Sequence, residues 1–105
     1  VSRVEDTAGR FPQVSGMTMS FDRKKKAGSR ITNIMVGGAP LDMAKTYKVA
    51  TNDYIAGGGD GYAALKKGKM LIDKSAATLM ATMVMNYISG KGTGSAKVSG
   101  RISEQ

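Results

Sequence analysis

One stretch of the chain combines groups that could bind a small polar molecule. It covers residues 52–62 and reads Asn-Asp-Tyr-Ile-Ala-Gly-Gly-Gly-Asp-Gly-Tyr. Four glycines surround Asp60, and glycine lets the backbone take a positive φ and lets another group approach the chain closely. Tyr54 and Tyr62 flank this carboxylate, and each can offer a ring face and a hydroxyl. The residue types indicate a small-molecule binding loop that presents Asp60.

Much catalytic chemistry is excluded by composition, because the chain contains no Cys and no His. Thiol nucleophiles, disulfides, the usual zinc ligands and the commonest general base near neutral pH are therefore absent. The Asp and Glu residues are scattered along the sequence, and they suggest no carboxylate cluster for two metal ions. We therefore predict that this chain is not an enzyme by itself.

The formal charge is +8, from 16 Lys and Arg against 8 Asp and Glu. Much of the excess lies in two clusters, residues 23–26 and the lysines at 66, 67 and 69. These clusters could be solvated loops or could face an anionic partner such as nucleic acid. The solvated interpretation is favoured, because no interleaved exposed aromatic residues or recognition module accompany the lysines.

The elements that must position the loop are those of one α+β domain of 105 residues. Alternating apolar residues predict strands over 14–22 and 30–36, with a candidate bulge at Gly16, and residues 37–40 break the second strand. A third strand is predicted over 47–51, directly before the glycine loop, and an edge strand over 98–102. The sheet is expected to be mainly antiparallel or mixed.

The clearest helix is predicted over about residues 74–89, where apolar residues at helical spacing form one stripe. The stripe comprises Ala76, Leu79, Met80, Met83, Val84, Tyr87 and Ile88. Asp73 or Ser75 can cap the start of this helix, and Gly90 suits the position after its end. Its methionines are interpreted as core residues. No apolar run approaches the roughly 20 residues of a membrane span.

Phe11 stands before Pro12, which favours an extended backbone at Phe11 and holds the ring in a defined direction. The ring could complete the edge of the core, which is the commoner role of an aromatic residue, or could serve a binding site.

Several ordered motifs resemble the C-terminal domain of the family of 5'-nucleotidases, UDP-sugar hydrolases and 2',3'-cyclic phosphodiesterases. They are residues 9–16 (Gly-Arg-Phe-Pro-Gln-Val-Ser-Gly), Pro-Leu-Asp at 40–42 with Lys-Thr-Tyr at 45–47, residues 51–62, and Gly-Arg-Ile at 100–102. The resemblance spans nearly the whole chain, and its three main motifs at consistent spacing are more specific than a lone glycine-rich loop.

The resemblance implies a nucleoside-binding domain of a hydrolase exported to the periplasm or cell surface. In that family two aromatic rings sandwich the base, and a carboxylate of the glycine loop binds the ribose hydroxyls. The matching positions are Phe11 and Tyr54 for the base and Asp60 for the sugar, with Gln13 able to reach the base. The substrate-binding residues predicted on this basis are Phe11, Gln13, Asn52, Tyr54, Gly58, Gly59 and Asp60.

The resemblance also implies that hydrolysis takes place elsewhere in a parent chain. Two divalent metal ions are expected in an N-terminal metallophosphoesterase domain, and no cofactor on this chain. The sequence is expected to be an incomplete C-terminal domain that lacks the first helices and the phosphate-binding arginines, so neither Arg3 nor Arg10 is assigned that role. A second copy of the fragment is a further expected partner, because the missing helices would leave apolar surface uncovered.

Tyr54 departs from the family pattern, since phenylalanine is common at that position. Its ring can still stack, and its hydroxyl could alter the preference for the base. The particular nucleotide substrate stays open. Two alternatives to nucleoside binding are a basic nucleic-acid-binding module and a structural or oligomerisation domain.

Overall fold

The computed structural model describes residues 1–6 and 8–105, which form two compact units. The first unit comprises Val1–Val49 and Ser99–Gln105, and the second comprises Ala50–Val98. Strands and helices are both present, and the sheet contains parallel and antiparallel pairs. The predicted α+β class with a mixed sheet is therefore confirmed.

The first unit contains a four-stranded sheet with the strand order β3-β2-β1-β4. Its strands are β1 (Met17–Phe21), β2 (Ile31–Val36), β3 (Ala39–Pro40) and β4 (Ile102–Glu104). Neighbours β1 and β2 are antiparallel, as are β2 and β3, whereas β4 pairs in parallel with β1. The predicted edge strand near the end of the chain is therefore present, a few residues later than expected.

The core of this sheet follows the alternation along β1. Met19 and Phe21 are 8% and 4% exposed, and they are the only buried apolar side chains among the described residues. Thr18, between Met17 and Met19, is exposed. Phe11 packs edge-to-face on Phe21, with ring centroids 6.0 Å apart and planes at 77°. Phe11 thus packs at the edge of the core, which is one of the two roles considered for it.

One detail of the hairpin differs from expectation. The register irregularity lies between Ser20 and Phe21 rather than at Gly16, which precedes β1 and accepts a hydrogen bond from the Gly37 amide. Residues 37–40 end β2 at Val36, as predicted, and the sheet continues beyond them. Gly37 and Gly38 have φ of 58° and 84°, as a two-residue hairpin turn with left-handed central residues requires, and β3 follows at once. Pro40 is tolerated there because β3 is an edge strand.

The predicted third strand over 47–51 is wrong, because the structure has no regular element there. Short β3 takes the position beside β2, and Val49 is exposed. The Tyr47 hydroxyl accepts a hydrogen bond from the Asp42 amide at 3.0 Å, which ties Tyr47 to the preceding turn. An alternation of two apolar residues was too short to distinguish a strand from an extended connection.

The second unit is built from helices and turns. It contains α1 (Asp53–Ala56), 3₁₀ turns at Gly59–Gly61, Ala63–Lys67 and Lys74–Ala76, and α2 (Met80–Lys91). In the described part of the chain, no helix combines the length and apolar character needed to cross a membrane.

The long helix begins later than predicted and ends two residues beyond the predicted end. Asp73 accepts hydrogen bonds from the Ser75 amide and hydroxyl at 2.9 and 2.7 Å, so it caps only a short 3₁₀ turn. Ala77 and Leu79 then have extended ψ values of 152° and 134°, which separate that turn from α2. Gly92, with φ of +81°, follows the last turn in place of the predicted Gly90. Local side-chain bonding competed with helix propagation here.

The apolar stripe of this region is exposed. Leu79 and Met80 are 77% and 64% exposed, and α2 contains no buried residue. The interpretation of its methionines as core residues is therefore wrong for this chain. Helical spacing identified which residues share a face but not whether that face is covered.

Within the first unit, one buried charge joins the N-terminal segment to the residues before β2. Arg30 is 8% exposed, and its guanidinium donates to the carbonyl oxygens of Lys25, Val1 and Ser2 at 2.9, 3.1 and 3.2 Å. It also binds both carboxylate oxygens of Glu5, with Nη1 3.0 Å from Oε2. Because Arg30 is the buried partner, its removal leaves several acceptors in this segment without a donor.

We predict that Arg30→Met lowers the unfolding free energy of the sheet unit by about 2–4 kcal/mol. Hydrogen-exchange protection of the β1 amides measures this loss. Arg23→Met is the matched control, because Arg23 forms an exposed pair with Glu104 at 2.9 Å and its loss should cost less than about 1 kcal/mol. Equal losses in the two variants would contradict the structural role of Arg30.

The same contact predicts acid sensitivity. Hydrogen bonds from Arg30 lower the pKa of Glu5 below its ordinary value. Glu5 therefore stabilises the folded unit above its unfolded pKa of about 4.3, and this contribution is lost as pH falls through the lowered folded value. Glu5→Gln should flatten the pH dependence of urea unfolding below about pH 4.3. Asp6→Asn, which removes a carboxylate from an exposed pair with Arg3, should leave that dependence in place.

Candidate functional site

The glycine loop begins at a short capped helix. The Asn52 side chain accepts a hydrogen bond from the Ile55 amide at 2.8 Å, which caps the start of α1. The helix ends at Gly57, whose amide bonds the Asp53 carbonyl oxygen at 2.9 Å. Gly58 then takes φ of +93° and turns the chain into the 3₁₀ turn Gly59–Gly61. Asn52 therefore shapes the loop through its cap, a structural role that its predicted binding role did not include.

The ring of Tyr54 lies directly against Gly59. A Cβ atom placed on Gly59 would come within 2.5–2.6 Å of the Cε1, Cδ1 and Cζ atoms of that ring. Gly59 has no positive φ, so the requirement for glycine comes from this close approach alone. Tyr54 is nevertheless 61% exposed. The loop thus supports the ring from one side and leaves most of it open to solvent.

Asp60 is the only described residue other than glycine with a positive φ, at 53°. Asp tolerates this left-handed conformation better than most residues, and such backbone outliers concentrate at functional sites. The Asp60 carboxylate is on the surface, and its Oδ1 accepts a hydrogen bond from the Tyr54 hydroxyl at 3.3 Å. The loop therefore places an aromatic ring and a carboxylate side by side.

Lys66 also contacts the loop. A Cβ atom on Gly58 would lie 2.9 and 3.2 Å from Cδ and Cγ of Lys66, so the aliphatic part of this lysine packs beside the glycine. The sequence indicated only a charged cluster at 66–69. In the sequence, only the position of Lys66 shortly after the loop could have indicated that it contacts the loop. That position did not identify Gly58 as its neighbour.

The first unit contains the two other predicted binding residues. Phe11 is half-buried beside Phe21, and Gln13 is exposed. Asn52, Tyr54, Gly58, Gly59 and Asp60 belong to the second unit and share one loop. The binding roles of all seven stay predictions.

Two further kinds of charged group could bind a partner, the lysines between β1 and β2 and the acidic side chains. Lys24, Lys25 and Lys26 are exposed in the turn between β1 and β2, as a solvated loop requires. Within residues 1–6 and 8–105, no group of three or more acidic side chains is arranged to hold a metal ion. The expectation of two metal ions in another domain is not tested by this observation.

Comparison with known proteins identifies the family. Residues 1–67 match the family model described as "5'-nucleotidase, C-terminal domain". The chain belongs to this family. The match includes the glycine loop and the segment that carries Phe11 and Gln13.

Individual 5'-nucleotidases are similar over most of the chain. The "5'-nucleotidase" of Diplobatis ommata is 36% identical over 97% of this chain and 19% of its own length. The "Snake venom 5'-nucleotidase" of Gloydius brevicauda is 34% identical over 90% of this chain and 17% of its own length. The chain thus spans about a fifth of the length of these relatives.

A solved structure supports the fold. The crystal structure of a 5'-nucleotidase precursor from Thermus thermophilus matches with a TM-score of 0.87 and 39% identity. The match covers 98% of this chain and 21% of that protein. The α+β arrangement described above is therefore that of a segment of a known 5'-nucleotidase.

We predict that Gly59→Ala displaces the Tyr54 ring, because the added methyl group would occupy the position of the ring edge. NMR shifts of the Tyr54 ring protons and their contacts with Asp60 measure the change. Gly68→Ala is the control, because a Cβ there meets only the Leu65 carbonyl oxygen at 3.4 Å. Unchanged Tyr54 signals in Gly59→Ala would contradict the described packing.

Proposed function

We propose that this chain binds the nucleoside part of a nucleotide and acts as the specificity domain of a 5'-nucleotidase-type phosphoric ester hydrolase. The observation that carries the proposal is the pairing of the Tyr54 ring with the Asp60 carboxylate on one glycine loop. A nucleoside has a flat base and an adjacent pair of ribose hydroxyls. These are the two chemical features that such a pair can recognise.

Tyr54 binds the base by stacking. Its ring is largely exposed, and Gly59 supports it from one side. Stacking of a base on an aromatic side chain contributes about 1–3 kcal/mol in proteins that bind nucleic acids. The interaction tolerates different bases because each one has a π face. Tyr54 thus contributes affinity without selecting one nucleotide.

Asp60 binds the ribose. An ionised carboxylate only accepts hydrogen bonds, and it has room for more than one donor. It can therefore accept both ribose hydroxyls while it keeps the bond from Tyr54. Gly61 lacks a side chain next to Asp60, so a sugar can approach the backbone closely there.

Phe11 supplies a second aromatic contact with the base, and Gln13 a polar one. These two roles rest on the family resemblance. Phe11 contacts Phe21 edge-to-face and is only half-buried, so part of its ring surface stays available. Gln13 is exposed. Asn52 and Gly58 act indirectly, by shaping the loop.

The hydrolysis itself belongs to another part of the parent protein in this proposal. Two divalent metal ions held by an N-terminal metallophosphoesterase domain would activate water and stabilise the charge on phosphate. Among the expected locations, the periplasm, the cell surface and the outside of the cell, the last is supported by several relatives named as snake venom enzymes. A second copy of the chain stays a candidate partner for the exposed apolar residues of α2.

Titration of the 105-residue chain with adenosine, followed by NMR, tests the proposal. Signals of Phe11, Tyr54 and Asp60 should shift together. Asp60→Asn should weaken binding about tenfold to a hundredfold, because a hydrogen bond to a charged group is lost. Tyr54→Ala should weaken it by about fivefold to a hundredfold, because stacking is lost. Asp73→Asn, which changes a carboxylate that caps a turn outside the glycine loop, should leave affinity unchanged.

Parallel titrations separate the alternatives. Salt-sensitive binding of single-stranded DNA that is lost in Lys24→Ala with Lys25→Ala, without adenosine binding, would favour a nucleic-acid module. No binding of either ligand, together with a mass that rises with concentration, would favour an oligomerisation domain. Either result would refute nucleoside binding by this chain.

A further inference from the structure

The Tyr54 hydroxyl points to the carboxylate of Asp60, which binds the sugar in the proposed function. It lies 3.3 Å from Oδ1 of Asp60 while the ring rests on Gly59. We propose that Tyr54 is also a positioning residue, whose hydroxyl orients the Asp60 carboxylate. The hydroxyl thereby increases the affinity for the ribose diol and not the affinity for the base. This inference rests on the proposed function, and it assigns the hydroxyl a role distinct from stacking.

Asp60 needs such a contact because little else restrains its side chain. The residue is exposed, and its backbone adopts the left-handed conformation, with φ of 53° and ψ of 25°. An exposed side chain samples several rotamers, and ordering it during ligand binding costs conformational entropy. A hydrogen bond already present in the free protein removes part of that cost. Preorganisation of this kind increases affinity without a new contact to the ligand.

The geometry of the bond suits a shared acceptor. At 3.3 Å it is longer than the 2.5–2.7 Å of strong bonds between a hydroxyl and a carboxylate. A carboxylate offers about four acceptor positions, and the Tyr54 hydroxyl occupies one of them. The bond thus directs the carboxylate without saturating it. Two ribose hydroxyls can bind while the Tyr54 contact persists.

The position of Gly59 explains why the hydroxyl reaches Asp60. Because residue 59 has no side chain, the Cδ1–Cε1–Cζ edge of the ring can lie against the loop, and its Oη atom reaches the next residue, Asp60. A phenylalanine at position 54 would keep the same ring surface for stacking. The difference in binding free energy between tyrosine and phenylalanine at this position therefore comes from contacts with the sugar.

The test compares adenosine with 2',3'-dideoxyadenosine, which has the same base but lacks both hydroxyls of the diol. In the wild-type chain, adenosine should bind more tightly. Tyr54→Phe should weaken adenosine binding by about threefold to tenfold, the usual contribution of one hydrogen bond, and leave dideoxyadenosine binding unchanged. Tyr87→Phe is the control, because it removes a tyrosine hydroxyl from α2, outside the loop.

A double-mutant cycle adds a readout that loss of folding would not reproduce. If the hydroxyl acts through the carboxylate, Tyr54→Phe combined with Asp60→Asn should bind adenosine no more weakly than Asp60→Asn alone. NMR spectra of each variant confirm that the loop is folded. Additive losses in the double variant would refute the inference, as would equal losses of adenosine and dideoxyadenosine affinity in Tyr54→Phe.

The outcomes also separate this inference from the proposed function. If the wild-type chain prefers adenosine and Tyr54→Phe retains the full preference, only the positioning role is refuted. If the wild-type chain binds neither nucleoside, the proposed function fails, and the positioning role fails with it. A wild-type chain that binds both nucleosides equally would refute the ribose contact of Asp60 and the positioning role together, while base stacking would stand.

Discussion

The ring of Tyr54 occupies the space that a side chain at residue 59 would need, and the candidate site depends on this constraint. Gly58 turns the chain with φ of +93°, and Gly59 accepts the ring. Asp60 then follows in a left-handed conformation within reach of the Tyr54 hydroxyl. Glycine is required at these two positions for different reasons, backbone conformation at one and close approach at the other. Together they bring a ring and a carboxylate to one surface.

The two units are stabilised by different kinds of interaction. In the sheet unit, Met19 and Phe21 form a small core, and buried Arg30 binds the N-terminal segment through carbonyl oxygens and Glu5. A charge removed from water in this way destabilises the fold if it loses any of its partners. In the helical unit, the apolar stripe of α2 remains exposed, and order in the loop comes from caps and turns. The loop geometry is therefore set locally.

The sequence predicted well where local rules decide. The alternation in β1 and the hairpin with β2 are confirmed, because side-chain period and turn residues specify them directly. Predictions that needed a neighbouring element were less successful. Residues 47–51 had a strand-like alternation but pair with no strand, and residues 74–79 had helical spacing but a competing Asp73 cap. Burial of the α2 stripe could not be predicted from its spacing.

By itself, the sequence determined the family, the α+β class and the loop that carries Tyr54 and Asp60, because motifs and glycine positions are properties of the chain order. It also indicated that both residues could bind. Only the tertiary structure decided that the Tyr54 hydroxyl meets Asp60, since this contact depends on side-chain torsions and on the path of the backbone past Gly59. The hydroxyl that the sequence associated with base preference is thereby directed to the carboxylate that we propose binds the sugar.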